Sequence, residues 1–210
     1  MTPDLELDKA SATAALTPPA RRMHRYLLTR FADTGQPSSR ADLQRFAHEH
    51  DIDPHATLAE LAERDVAAFQ DNGELRAAYP FSPQPTAITV AWADGPTVYS
   101  MCAIDALGMS AMLDRPVVIT ATEPDSGEVV IVEVDHHQAT WIPDTAAVFG
   151  GSTDDDCCPS VDRTCGNINF FTTETAAQAW AARNPHVTGA VLDQNVALST
   201  GITEFGDMIR

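Results

Sequence analysis

Only four cysteines occur in 210 residues, and three of them, Cys157, Cys158 and Cys165, fall within nine positions. The segment that holds the first two, Gly150-Gly151-Ser152-Thr153-Asp154-Asp155-Asp156-Cys157-Cys158-Pro159, reads as a polar loop with little to pack. Such a loop has no use for thiols in a core. Thiols crowded there point to ligation of a soft metal or to redox exchange. The spacing lacks the C-x2-C knuckle of a zinc ribbon. The fourth cysteine, Cys102, precedes Asp105 by three residues, so on a helix the two share one face. A thiol at a helix start is favoured as thiolate by unpaired N–H groups and the helix dipole, and a carboxylate beside it can store or deliver a proton. On spacing alone the pair is a weak signal, because a cysteine in an apolar helix is commonly inert packing. His136-His137 at a strand end and Asp154 to Asp156 offer further ligands. Adjacent strand histidines face opposite ways, and an acidic loop is ordinarily a solvated one.

The elements that must position these residues follow from periodicity. Residues 1–20 are rich in Pro, Thr and Ala and read as a flexible tail. Met23, Tyr26, Leu27 and Phe31 form one face of a helix. Ser39 caps a second helix with Leu43, Phe46 and Ala47 inside. Asp53-Pro54 opens a third with Leu58, Leu61 and Ala62 inside. A hairpin, 66–69 and 75–79, turns at Asn72-Gly73. Three helices and a hairpin make residues 21–80 a winged-helix-like module. A Pro-rich linker, 81–85, leads to an α+β domain over 81–210 with a mostly antiparallel sheet. There, strands are predicted at 87–92, 97–100, 116–122, 128–135, 167–171 and 187–192. Helices are predicted at 101–113, with Cys102 in its opening residues, and at 174–183, with a further one near the end.

Composition limits the function. The net charge is −17, and it is unevenly spread. Residues 1–80 hold 9 basic and 13 acidic residues; residues 81–210 hold 4 and 17. The third helix of the winged-helix-like module carries one Arg against Glu60 and Glu63. Nucleic acid and anionic membranes both reward positive charge, so neither is an expected partner. No leader pattern is seen in Met1 to Thr17 and no apolar run approaches a bilayer span, so a cytoplasmic location with reduced cysteines is expected.

Tyr99-Ser100-Met101-Cys102-Ala103-Ile104-Asp105-Ala106-Leu107 resembles the signature helix of the alkylmercury (organomercurial) lyases, roughly Tyr-x-Trp-Cys-Ala-Leu-Asp. Cys165-Gly166-Asn167-Ile168-Asn169-Phe170-Phe171 is similar to their second signature, a Cys five residues before Phe-Phe. A helical N-terminal module, an α+β domain and a helix bearing Trp180 fit the family's layout as well. The resemblance implies that Cys102 and Cys165 bind R–Hg⁺, since mercury(II) is a soft ion that prefers two thiolates in near-linear geometry. It implies that Asp105 takes a proton from a thiol and delivers it to the departing carbon. The products would be a hydrocarbon and Hg(II) held by both sulfurs, then passed to small thiols or mercuric reductase. No organic cofactor is implied.

Two positions depart from the pattern. Met101 stands where Trp is common, and Gly166 follows Cys165 where the family often has a second Cys. A Cys-Cys pair occurs earlier, at Cys157 and Cys158. An alternative alignment makes Cys158 the second catalytic thiol; the kept distance to Phe170-Phe171 favours Cys165. The extra pair is expected to capture substrate or relay Hg(II) outward. The competing function is a soft-metal (mercury or copper) binding or chaperone protein of the same fold, which needs the thiols but not Asp105.

Overall fold

The described residues of this computed structural model, 7–153 and 159–209, begin with four helices: α1 (Lys9–Ala14), α2 (Pro18–Thr34), α3 (Arg40–Glu49) and α4 (Pro54–Glu63). Their starts are those the sequence encodes. Ser39 caps α3 in a reciprocal capping box with Asp42, and Asp53 caps α4 ahead of Pro54. Within the expected tail, residues 1–20, the described part runs from residue 7 and includes helix α1. Leu7, Lys9 and Leu16 are buried, and the Glu204 carboxylate accepts the N–H of Lys9 (2.7 Å) and of Ala10 (3.2 Å). These partners lie far along the chain, so local composition gave no sign of them.

Strands β1 (Ala67–Phe69), β2 (Leu75–Ala78), β3 (Phe81–Ser82), β4 (Ile88–Ala91), β5 (Thr97–Ser100), β6 (Val117–Thr122), β7 (Val129–Asp135) and β8 (Gln138–Ile142) form one sheet. Its order is β1-β2-β3-β5-β4-β6-β7-β8, and every pairing in it is antiparallel. The expected linker at 81–85 is therefore partly strand. Phe81 is fully buried and pairs with both Ala78 and Ser100. The hairpin β1–β2 is the edge of this larger sheet rather than a separate wing. Its turn spans more than two residues, with Phe69 opposite Leu75 and positive φ at Gly73.

A second sheet, β10-β9-β11, is built from β9 (Ala147–Thr153), β10 (Asn169–Phe171) and β11 (Val187–Leu192). Helix α6 (Ser160–Arg163) and a 3-10 turn, Cys165–Asn167, lead into β10. The expected polar loop at 150–159 is strand as far as Thr153. The backbones of β9 and β11 approach closely there: a Cβ on Gly189 would lie 2.2 Å from the Gly150 carbonyl oxygen. Helix α7 (Glu174–Arg183) covers this sheet through Phe149, Phe171, Ala177, Trp180 and Val187.

Helix α5 (Ala103–Leu113) packs on the larger sheet, against β4 to β7, and α8 (Gln194–Phe205) packs against α5 and touches β9 of the smaller sheet. The segment Ala-Ile-Asp-Ala-Leu-Gly-Met-Ser-Ala-Met-Leu is apolar nearly all round, the mark of a helix buried on every side. All its residues from Ala103 to Met112 are buried. Contact with α8 runs through paired glycines. A Cβ on Gly108 would sit 2.3 Å from the Gly201 carbonyl oxygen, and one on Gly201 2.8 Å from the Gly108 nitrogen. Only glycine permits that approach. Among the described residues, no helix is long and apolar enough to cross a membrane.

Candidate active site

Strand β5 ends at Ser100, and the chain turns immediately into α5. Two hydrogen bonds fix that turn: Met101 N–H to the Pro80 carbonyl (3.1 Å) and Ser100 Oγ–H to the Cys102 carbonyl (3.0 Å). Cys102 is the N-cap residue, and its sulfur accepts the N–H of Asp105 at 3.4 Å. A sulfur in the role usually filled by Ser or Asp aims the thiol at the helix's unpaired donors. Asp105, one turn in, is 2% exposed.

Cys165 arrives from the other side of the chain. The Ala103 N–H donates to the Ile168 carbonyl at 3.1 Å, which pins the residues after Cys165 against the residue after Cys102. Both cysteines are buried and free, and the charges of Cys102, Cys165 and Asp105 act on one another. Cys165 opens the 3-10 turn just before β10.

Burial governs the proton affinities here. It pushes the Cys102 thiol well above the usual value, and the nearby Asp105 charge pushes the same way. Cys165 is raised too, by burial and then by Asp105, against the pull of Lys9. The expected helix-start lowering of Cys102 is thus outweighed by desolvation. Asp105 is raised to about 7, again by burial first, opposed by a hydrogen bond from the Cys102 thiol and by the charge of Lys9. The site therefore stores protons on sulfur beside a carboxyl that exchanges one near neutrality. A soft cation arriving between the sulfurs would replace the lost solvation and release those protons.

The remaining sequence candidates fall elsewhere. His136 lies in the β7–β8 turn, held by Asp135 (2.6 Å) and Asp114 (3.0 Å), and its pKa is raised by these two carboxylates. His137 is exposed beside it. Among the described residues, no group of three or more His, Cys, Asp or Glu is arranged to hold a metal ion. Cys157, Cys158 and Asp154 to Asp156 lie outside the described residues.

Sequence reasoning missed Lys9, Asp65, Tyr79 and Ser160, which border the site. Lys9 is 3% exposed, and its ammonium donates to the Asp65 carbonyl (2.6 Å), to Asp65 Oδ2 (2.7 Å) and to Ser160 Oγ (2.9 Å). It also lies 4.0 Å from the centre of the Tyr79 ring. One signal was available: Lys9 is the chain's single lysine, against twelve arginines.

The family model of alkylmercury lyase (MerB) matches residues 81–206. An alkylmercury lyase of Streptomyces lividans is 27% identical over 165 residues, covering 77% of this chain and 74% of that protein. One of Staphylococcus epidermidis is 30% identical over 108 residues, about half of either chain (51% and 49%). In fold, the chain is similar to a crystal structure of the mercury-bound form of MerB2, with a TM-score of 0.75, 21% identity and 98% of each chain covered. With a family model spanning well over half of it, including Cys102, Asp105 and Cys165, the chain belongs to the alkylmercury lyase family of enzymes.

Proposed function

We propose that this protein cleaves the carbon–mercury bond of organomercurials by protonolysis, with Cys102 and Cys165 as the mercury-binding thiols and Asp105 as the proton carrier. The observation that carries this reading is a buried carboxyl, Asp105, on the helix that Cys102 caps through the Asp105 N–H (3.4 Å), in a site with two free, buried thiols. A protein that only stored metal would need the sulfurs, but not a carboxyl poised to exchange protons at neutral pH.

R–Hg⁺ arrives on a small thiol or halide, which leaves as Cys165 gives up its proton to solvent and binds mercury. Cys102 passes its proton to Asp105 and becomes the second sulfur on mercury. Two thiolates push electron density onto the metal, which weakens the Hg–C bond. Asp105 then gives its proton to the carbon. R–H departs, Hg(II) stays between the sulfurs and Asp105 is a carboxylate again. Small thiols or mercuric reductase take the Hg(II) by ligand exchange. Cys157 and Cys158 are near enough in sequence to assist that handover; the Cys157→Ser/Cys158→Ser variant should then release Hg(II) to thiols more slowly, and unchanged release removes them from the scheme.

The test is incubation with a phenylmercury salt and excess thiol. Benzene should appear with turnover. Tight Hg(II) binding without benzene would overturn the lyase reading in favour of metal binding.

A further inference from the structure

We propose that Lys9 is a positioning residue for the reaction: through Asp65 and Ser160 it fixes the segment that delivers Cys165 opposite Cys102. The inference rests on the proposed function and adds a residue to it.

The geometry is that of a buried tie. An ammonium has three N–H donors, and all three of Lys9's are used, on the Asp65 carbonyl, Asp65 Oδ2 and Ser160 Oγ. Asp65 follows α4 in a left-handed conformation (φ 52°), which aspartate tolerates better than most residues. Its carboxylate also accepts the Ser160 N–H (3.1 Å to Oδ2) and Oγ–H, and the Tyr79 hydroxyl at 3.4 Å. Ser160 begins α6. From there the bonds run forward to the thiol: the Thr164 N–H (2.9 Å) and Oγ–H (3.0 Å) both reach the Ser160 carbonyl, and the Asn167 N–H reaches the Thr164 carbonyl (2.8 Å). Cys165 lies inside this ladder.

The backbone at Lys9 is tied just as firmly to the other half of the site. Glu204 of α8 accepts its N–H, and α8 packs through Gly201 against α5, which carries Asp105. One residue of α1 therefore joins the α5 side to the Cys165 side. Removing the ammonium leaves Asp65 without its counter-charge and Ser160 without a donor. The Cys165 segment then keeps the Ser160–Asp65 bonds, the Ala103–Ile168 bond and the Arg76–Asp162 ion pair at its surface, but loses the cation that ties it to α1.

Lys9→Met keeps most of the side-chain volume and removes the charge. Benzene release from phenylmercury should fall roughly tenfold to hundredfold in kcat, the scale of a misplaced reacting group, with KM changed far less. A merely structural role is separated by site-resolved alkylation of the mercury-free protein, read by peptide mass. Cys165 should react several-fold faster in Lys9→Met than in the wild type, while Cys102, held by α5, keeps its rate. Ser160→Ala, a milder change, should shift both readouts the same way by a smaller factor, which keeps the test open if Lys9→Met fails to fold. Equal acceleration at both cysteines, or unchanged alkylation and kcat in either folded variant, overturns the proposal. Failure of the wild type itself to release benzene would instead sink the proposed function, and the alkylation contrast would still judge the positioning.

Discussion

Two buried titratable side chains sit in one apolar core, and they differ in every respect except burial. His24, on α2, is fully buried, and neither ring nitrogen has a hydrogen-bond partner among the described residues. Desolvation alone lowers its pKa to about 4. Asp105, on α5, is raised to about 7, but its N–H donates to the Cys102 sulfur and the charge of Lys9 reaches it. A shifted pKa is therefore a poor guide to chemistry taken alone. What separates the two is company: a carboxyl with two thiols within electrostatic reach can move a proton, whereas an isolated neutral imidazole only fills space.

The largest effects expected from this contrast come from the thiols. Cys102→Ser or Cys165→Ser should each lower benzene release by about a thousandfold or more, since a hydroxyl is a hard and weak ligand for mercury. A residual rate within tenfold of wild type for Cys165→Ser would shift the second thiol elsewhere.

The two titrations should also pull stability in opposite directions. In the folded protein Asp105 keeps its proton up to about 7, while its unfolded carboxyl loses it near the ordinary value of 3.8. The folded state holds more protons in between, so this group makes stability fall as pH rises from about 4 to 7, by up to about 4 kcal/mol. His24 refuses a proton until about 4, while the unfolded ring takes one near 6.5. It makes stability fall as pH drops from 6.5 to 4, by about 3 kcal/mol. The slopes oppose each other in the wild type. In urea titrations, Asp105→Asn should become progressively less stable on acidification below about 6.5, and His24→Leu progressively less stable as pH is raised towards 7. Parallel pH profiles in the two variants would show that the contrast is false.

The smallest effect concerns packing alone. Gly108→Ala places a methyl group against the Gly201 carbonyl and should lower stability by about 1–3 kcal/mol, measured by denaturant midpoint. Unchanged stability would mean that α5 and α8 separate more readily than their contact suggests.

Much of the frame that holds these groups is legible in the sequence. The all-round apolar run after Cys102 marks a buried helix, and Asp125-Ser126-Gly127 marks the β6–β7 turn, with positive φ at Asp125 and Gly127. Helix α1 is not legible, because six residues of mixed polarity acquire their helix from Glu204 and Asp65, far along the chain. Strand β9 is hidden because Gly150 and Gly151 read as loop, though close backbone approach is what requires small residues there. Cys102 and Asp105 are visible as a pair three residues apart. That Cys165 meets them depends on a long-range bond from Ala103 to Ile168, and only the family resemblance hinted at it. Lys9 lay in what composition marked as a tail.

On the proposed mechanism Asp105 carries the proton to carbon while the sulfurs carry the mercury. Asp105→Asn tests it most directly, with benzene release and Hg(II) binding measured on the same preparation. Cleavage should fall by about a hundredfold to ten-thousandfold, the usual worth of a general acid–base group, with one Hg(II) still bound by two thiols. Cleavage within a few-fold of wild type would contradict it.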